Sequence, residues 1–203
     1  MIAIVDYDMG NVASVANMLK RIGGPPSVLT RDPEVLRRAE RIILPGVGAF
    51  DKGMRNLSAF GLRAPLDEAA LERRVPILGI CLGMQLLTKS SEEGAEPGLG
   101  WIDATTRRFR FPADTGLKVP HMGWNYVVAK RPNPLINGAD RKRFYFVHGY
   151  YVECTRPEDV LGTACYGADF VCAIGRENIY GVQFHPEKSH KFGMALLEGF
   201  VRA

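Results

Sequence analysis

An α/β fold of three layers, a mostly parallel open sheet flanked by helices and carrying antiparallel extension strands, is what this sequence predicts. Three observations predict it. In the first half, short apolar runs alternate with segments of helical period. In the second half, strand-like runs follow one another between Pro, Gly and Asn turn signals. Near the middle of the chain, Val75-Pro76-Ile77-Leu78-Gly79-Ile80-Cys81-Leu82-Gly83-Met84-Gln85 has the pattern of a strand, a sharp elbow and a helix. Alternating strands and helices imply parallel strands covered on both faces, whereas consecutive short strands imply antiparallel pairing.

Taken in order, Ile2 to Val5 is a buried strand, and Asn11 through Ile22 carries Val12, Val15, Leu19 and Ile22 on one helical face. Val28-Leu29 begins a second strand and Arg41-Ile42-Ile43-Leu44 forms a third, followed by Pro45-Gly46-Val47-Gly48. Leu62 to Arg74 reads as a helix, and Val75 to Ile80 as the strand feeding the elbow. Thr88-Lys89 is expected on the elbow helix, facing solvent. Further strands are expected at Trp124 to Val128, Phe144 to Val147, Tyr150 to Glu153, Leu161 to Cys165, Val171 to Ile174 and Ile179 to Phe184, with a closing helix from Ser189 to Val201. No linker, repeat or low-complexity stretch interrupts the chain, so one domain over 1–203 is expected.

The composition excludes several classes. With 203 residues and 46% hydrophobic content, the chain can bury a substantial core. No run approaches the ~20 apolar residues that span a bilayer, and Met1-Ile2-Ala3-Ile4-Val5-Asp6 lacks a signal peptide's basic start. A cytoplasmic location is therefore expected. The net charge of +4 is modest, and the short basic runs Arg107-Arg108 and Arg141-Lys142-Arg143 lack the interleaved aromatics of a nucleic-acid surface. Cys81, Cys154, Cys165 and Cys172 show no C-x-x-C spacing, and His121 and His148 show no ligand spacing. Neither a metal nor an organic cofactor is called for.

The elbow is the most informative feature. Glycines two residues either side of Cys81 leave room for a turn that a Cβ would obstruct. A cysteine so placed stands at the first turn of a helix, where free N–H groups favour a thiolate. A nucleophilic cysteine needs a base and a group that orients the base. Of the four histidines, His185 lies in Phe184-His185-Pro186-Glu187, just beyond an apolar strand. Residues i and i+2 of an extended segment share a side, so Glu187 can support the imidazole. Strand ends are also where open α/β sheets build their sites. The glycines of Pro45-Gly46-Val47-Gly48 let backbone N–H groups approach a ligand, which suits one wall of an oxyanion hole with Leu82 N–H as the other donor.

Gly79-Ile80-Cys81-Leu82-Gly83-Met84-Gln85, Pro45-Gly46-Val47-Gly48 and His185-Pro186-Glu187 together resemble the class I, triad-type glutamine amidotransferases, in that family's order and across the whole chain. Asp6-Tyr7-Asp8-Met9-Gly10-Asn11, Pro120-His121-Met122-Gly123-Trp124-Asn125, Phe144-Tyr145-Phe146-Val147-His148-Gly149-Tyr150-Tyr151 and Glu187-Lys188-Ser189 are similar to the glutaminase subunits that serve histidine biosynthesis. The resemblance implies that Cys81, His185 and Glu187 are catalytic, that Val47 and Leu82 hold the oxyanion, and that Gly48, Gln85, Glu93, Gly149 and Tyr150 hold L-glutamine. It further implies heterodimer formation with a (β/α)8-barrel cyclase subunit that receives the ammonia. Asn11, Trp124 and Lys188 are the implied docking residues. Gly149 stands where relatives usually carry Ser or Thr. Two other functions use the same elbow, a glutaminase serving another synthase and a stand-alone γ-glutamyl hydrolase; only the second should work without a partner. Glycines around Val47 also suggest control, since its peptide can rotate cheaply into or out of the oxyanion hole.

Overall fold

The computed structural model of the chain describes residues 1–136 and 142–203, so Arg141 of the basic run lies outside the described residues. Strand β1 (Ile2–Val5) is buried along its whole length. It pairs in parallel with β2 (Ser27–Thr30) and β3 (Arg41–Gly46). Strand β4 (Ile77–Cys81) pairs in parallel with β3 and with β12 (Ile179–Val182), completing a five-stranded parallel half in the order β2-β1-β3-β4-β12. β1, β3, β4 and β12 are near-continuous apolar runs because both faces are covered, whereas β2 lies at the edge with Leu29 exposed. Ala3 and Val5 enter one core with Leu44, Leu57 and Leu66, while Ile2 and Ile4 enter the other with Val15, Leu196 and Phe200.

Four strands extend the sheet in antiparallel fashion: β11 (Ala168–Arg176), β10 (Val160–Tyr166), β7 (His121–Ala129) and β8 (Lys142–His148). Strand β9 (Tyr150–Cys154) pairs with β11 and with β6 (Ala104–Arg108), which also carries the short β5 (Ser90–Ser91). Helix α1 (Val12–Arg21) is capped by Asn11, whose Oδ1 accepts from Ser14 N at 3.2 Å. Helix α2 (Pro33–Arg38) is capped by Asp32. Helices α3 (Phe50–Ala59), α4 (Arg63–Asp67), α5 (Leu82–Leu86) and α6 (His190–Arg202) follow. None of the described helices is long and apolar enough to cross a membrane.

The predicted architecture is observed, with local corrections. The helix expected over 62–74 breaks after Asp67 into a wide turn, Glu68–Glu72, because Arg73 N bonds Glu68 O at 3.0 Å, five residues back. The last strand ends at Val182 rather than Phe184: His185 N bonds Tyr145 O at 2.9 Å, so the chain leaves the ladder toward β8. Thr88 lies beyond α5 and is fully buried, its hydroxyl donating to Gln85 O at 2.8 Å; only Lys89 faces solvent, paired with Asp103 at 2.7 Å. Helix α3 was not anticipated. Its own cap, Ala49, has no side chain to offer, and Glu93 supplies the missing acceptor by taking Phe50 N–H at 2.8 Å.

Candidate active site

Cys81 closes β4 with φ +55° and ψ −110°, a conformation that side chains other than glycine seldom adopt. The flanking glycines let the surrounding backbone close in. A Cβ on Gly79 would lie 2.6 Å from Gly83 O, and one on Gly83 would lie 1.8 Å from Leu44 O. Since Leu44 belongs to the neighbouring strand, it cannot swing aside. Gly83→Ala is therefore expected to cost about 3 kcal/mol or more, read as a lowered midpoint in urea unfolding; an unchanged midpoint would mean the turn relaxes freely.

The segment after β12 carries the second part. His185 Nδ1–H donates to Glu187 Oε1 at 2.7 Å, and both side chains are buried, at 2% and 4% exposure. Burial would lower the imidazole pKa, but the nearby Cys81 sulfur and the hydrogen-bonded Glu187 carboxylate outweigh it and raise it to about 10. Among the described residues, neither His185 Nε2 nor Glu187 Oε2 has a hydrogen-bond partner, and both are buried. Ser189 Oγ donates to His185 O at 2.6 Å and accepts Tyr145 N–H at 3.0 Å, tying the turn to β8.

Gln183 was missed in the sequence. It is fully buried, its Nε2 lies 3.6 Å from Cys81 Sγ, and its Oε1 accepts from Gln85 Nε2 at 3.0 Å. The available signal was its place two residues before His185, on the same side of an otherwise apolar extended run.

One cleft is lined by Cys81 together with Val47, Gly48, Leu82, Gln85, Glu93, Gly149 and Tyr150. All the residues expected to hold the oxyanion and the substrate thus share one cleft with Cys81, while His185 and Glu187 are not part of its lining. Desolvation raises the Glu93 carboxyl, offset in part by the Phe50 N–H bond. His148 also lines the cleft. Its Nδ1 must carry a proton, because it faces Tyr150 O at 2.6 Å. His148 Nε2 then accepts from His121 Nδ1 at 3.0 Å, and His121 Nε2 accepts from Asn125 Nδ2 at 3.3 Å. Burial keeps both imidazoles neutral, with His121 lowered to about 4 and His148 to about 3. They are satisfied structural histidines beside the site. The other thiols differ from Cys81: burial pushes Cys154 up to about 12 and raises Cys172, while Cys165 is exposed outside the cleft.

Asn11, Trp124 and Lys188 stand apart from the cleft. Trp124 is 40% exposed, stacks on His190 at 5.5 Å and has the Arg143 guanidinium over its ring. Lys188 Nζ lies over Tyr145, the cross-strand partner of Trp124, and α1, capped by Asn11, packs beside the Pro186–Lys188 turn. Met122, Tyr126 and Val128 continue the exposed apolar row of Trp124 along β7.

A strained cysteine elbow at the end of a parallel strand, with a buried His–Glu pair just beyond the neighbouring one, is the arrangement expected of a triad-type amidotransferase. The family model for class-I glutamine amidotransferases matches residues 3–203, and the chain belongs to that family. Among individual proteins it is similar to imidazole glycerol phosphate synthase subunit HisH 2 of Methanococcus maripaludis, 52% identical over 100% of this chain and 99% of the relative. Subunit HisH 2 of Pseudomonas aeruginosa is 50% identical over 99% of this chain and 98% of its own length. The fold also matches a crystal structure of a glutamine amidotransferase, with TM-score 0.77, 18% identity and coverage of 100% of this chain and 98% of the other.

Proposed function

We propose that this chain is the glutaminase subunit of an imidazole glycerol phosphate synthase, releasing ammonia from glutamine for use in histidine biosynthesis. The observation that carries the reading is the cleft that joins Cys81 to Val47, Leu82, Glu93 and Tyr150 in a chain 52% identical to a HisH subunit.

In the reaction, the Cys81 proton rests on His185 Nε2, and the sulfur, as thiolate, attacks the side-chain amide carbon of glutamine. The carbonyl oxygen becomes an oxyanion, held by the N–H groups of Leu82 and Val47. His185, oriented through Nδ1 by Glu187, returns the proton to the departing nitrogen, which leaves as ammonia. The γ-glutamyl thioester is then opened by water, with His185 as base, giving glutamate and the free thiol. Gly48, Gln85, Glu93 and the Gly149–Tyr150 backbone hold the substrate's polar groups; the Glu93 carboxylate suits the α-ammonium. Ammonia passes to a (β/α)8-barrel cyclase subunit, for which the Trp124 row on β7, Lys188 and Asn11 supply the docking face.

The subunit alone is expected to be nearly silent, because a glutaminase without its acceptor wastes glutamine. Glutamate release is compared for the subunit alone, with the barrel cyclase, and with the cyclase plus its nucleotide ligand. Activity rising by about a hundredfold or more in the last mixture, the worth of one oxyanion donor, supports the reading. Equal activity in all three favours an independent γ-glutamyl hydrolase.

A further inference from the structure

Tyr7 is fully buried, and its hydroxyl has no hydrogen-bond partner among the described residues. A buried hydroxyl left unpaired is costly. Burial, and secondarily the charge of Cys81, raises the phenol's pKa, so it remains a protonated donor near the reacting sulfur. Its surroundings are specific. A Cβ on Gly46 would lie 2.4 Å from the hydroxyl oxygen, 2.9 Å from Leu82 Cβ and 3.1 Å from Gly83 N. The hydroxyl oxygen therefore lies beside Gly46, the strand end that leads into Val47, at a point that also borders the first turn beyond Cys81.

The loop around Tyr7 clasps the same segment. A Cβ on Gly10 would lie 3.0 Å from Gly46 Cα, and one on Gly48 would lie 2.8 Å from Met9 Cε. Asn56 Nδ2 donates to Tyr7 O at 2.8 Å, so the backbone that presents the ring is itself held. Gly46 and Gly48 leave the Val47 peptide with no Cβ on the residue either side.

We propose that the Tyr7 hydroxyl is a positioning group for the oxyanion-binding peptide, donating to the Gly46 carbonyl when the Gly46–Val47 peptide turns its N–H toward the reacting centre. A peptide unit is planar, with C=O and N–H pointing oppositely, so turning the Val47 N–H inward swings the Gly46 carbonyl away from the substrate. That swing gives the orphaned hydroxyl its acceptor and holds the peptide in the competent state. The idea rests on the glutaminase reading above and adds a residue to it.

The test is Tyr7→Phe, which removes one oxygen from a position where it bonds to nothing at rest. In the complex with the barrel cyclase and its nucleotide ligand, stimulated kcat for glutamate release should fall about tenfold, with KM for glutamine within about twofold, as for the loss of one well-placed hydrogen bond. Binding of the γ-aldehyde analogue of glutamine, whose Cys81 adduct carries an oxyanion, should weaken by a similar factor. Alkylation of Cys81 by iodoacetamide forms no oxyanion and should keep its rate, and the subunit's melting temperature should not fall. Unchanged kcat and aldehyde affinity would overturn the proposal. So would a loss shared by iodoacetamide reactivity and melting temperature, which marks a structural role. A wild-type complex that is not stimulated at all would overturn the glutaminase-subunit reading and this proposal with it.

Discussion

Replacing Cys81 with alanine is expected to lower glutamine-dependent synthesis by the complex about ten-thousandfold or more, while synthesis from added ammonium salts continues. The split follows from where Cys81 sits. It is the sulfur at the centre of the cleft, held on a strained turn by backbone contacts through Gly79 and Gly83 rather than by its own side chain. Alanine keeps the Cβ and the turn, so the fold and the docking face should survive. The assay measures product formation with glutamine and with ammonium in parallel. Loss of both activities would mean that Cys81 supports the architecture and would remove it from the nucleophile's role.

The second large effect concerns Glu187. Glu187→Gln keeps the shape of the side chain and removes the charge 2.7 Å from His185 Nδ1. Turnover is expected to fall by about 10²- to 10⁴-fold, because the imidazole loses both its orientation and the stabilisation of its cationic form. The pH dependence follows from the sign of the shift. The folded-state pKa of His185 is raised from 6.5 to about 10. Its contribution to stability is therefore fully present below pH 6.5 and is lost as the pH rises through about 10. The protonated imidazole that serves the leaving ammonia is lost over the same alkaline range. In the Glu187→Gln variant the cation is less stabilised, so the alkaline limb of kcat should move to lower pH, and the alkaline loss of stability should shrink. A limb that stays in place would show that Glu187 does not govern the imidazole. Activity profiles and unfolding free energies, followed from neutral pH to beyond the raised pKa of about 10, read both.

Much of the site was legible from spacing alone. Cys81 between two glycines states an elbow, because only glycine allows backbone to approach as closely as Gly83 approaches Leu44 O. His185 and Glu187 two apart in an extended segment state a supported base, and the structure joins them by a hydrogen bond. Gln183 carried the same period-two signal, but a single polar residue in an apolar strand reads as an exception until its partners are seen. Resemblance implies Glu93 beside the substrate, but its capping of α3 is invisible in the sequence, because Phe50 opens the helix and Glu93 lies in a turn 43 residues on that only the folded chain brings to it. Helix α2 and strand β6 were not anticipated: α2 is too short at six residues for a helical period to show, and β6 reads Ala-Thr-Thr-Arg-Arg, without an apolar run.

By itself, the sequence determined the parallel half of the sheet, the antiparallel extension, the elbow and the pairing of His185 with Glu187, since each depends on local periodicity or on residues a few positions apart. Tertiary structure alone decided that Val47, Glu93 and Tyr150 line one cleft with Cys81, that the His121–His148 chain ends on the Tyr150 carbonyl, and that the buried Tyr7 hydroxyl lies beside Gly46 with no partner among the described residues. Each of these joins segments tens of residues apart. Their meeting is set by sheet order and by the packing of both cores, which no local pattern encodes.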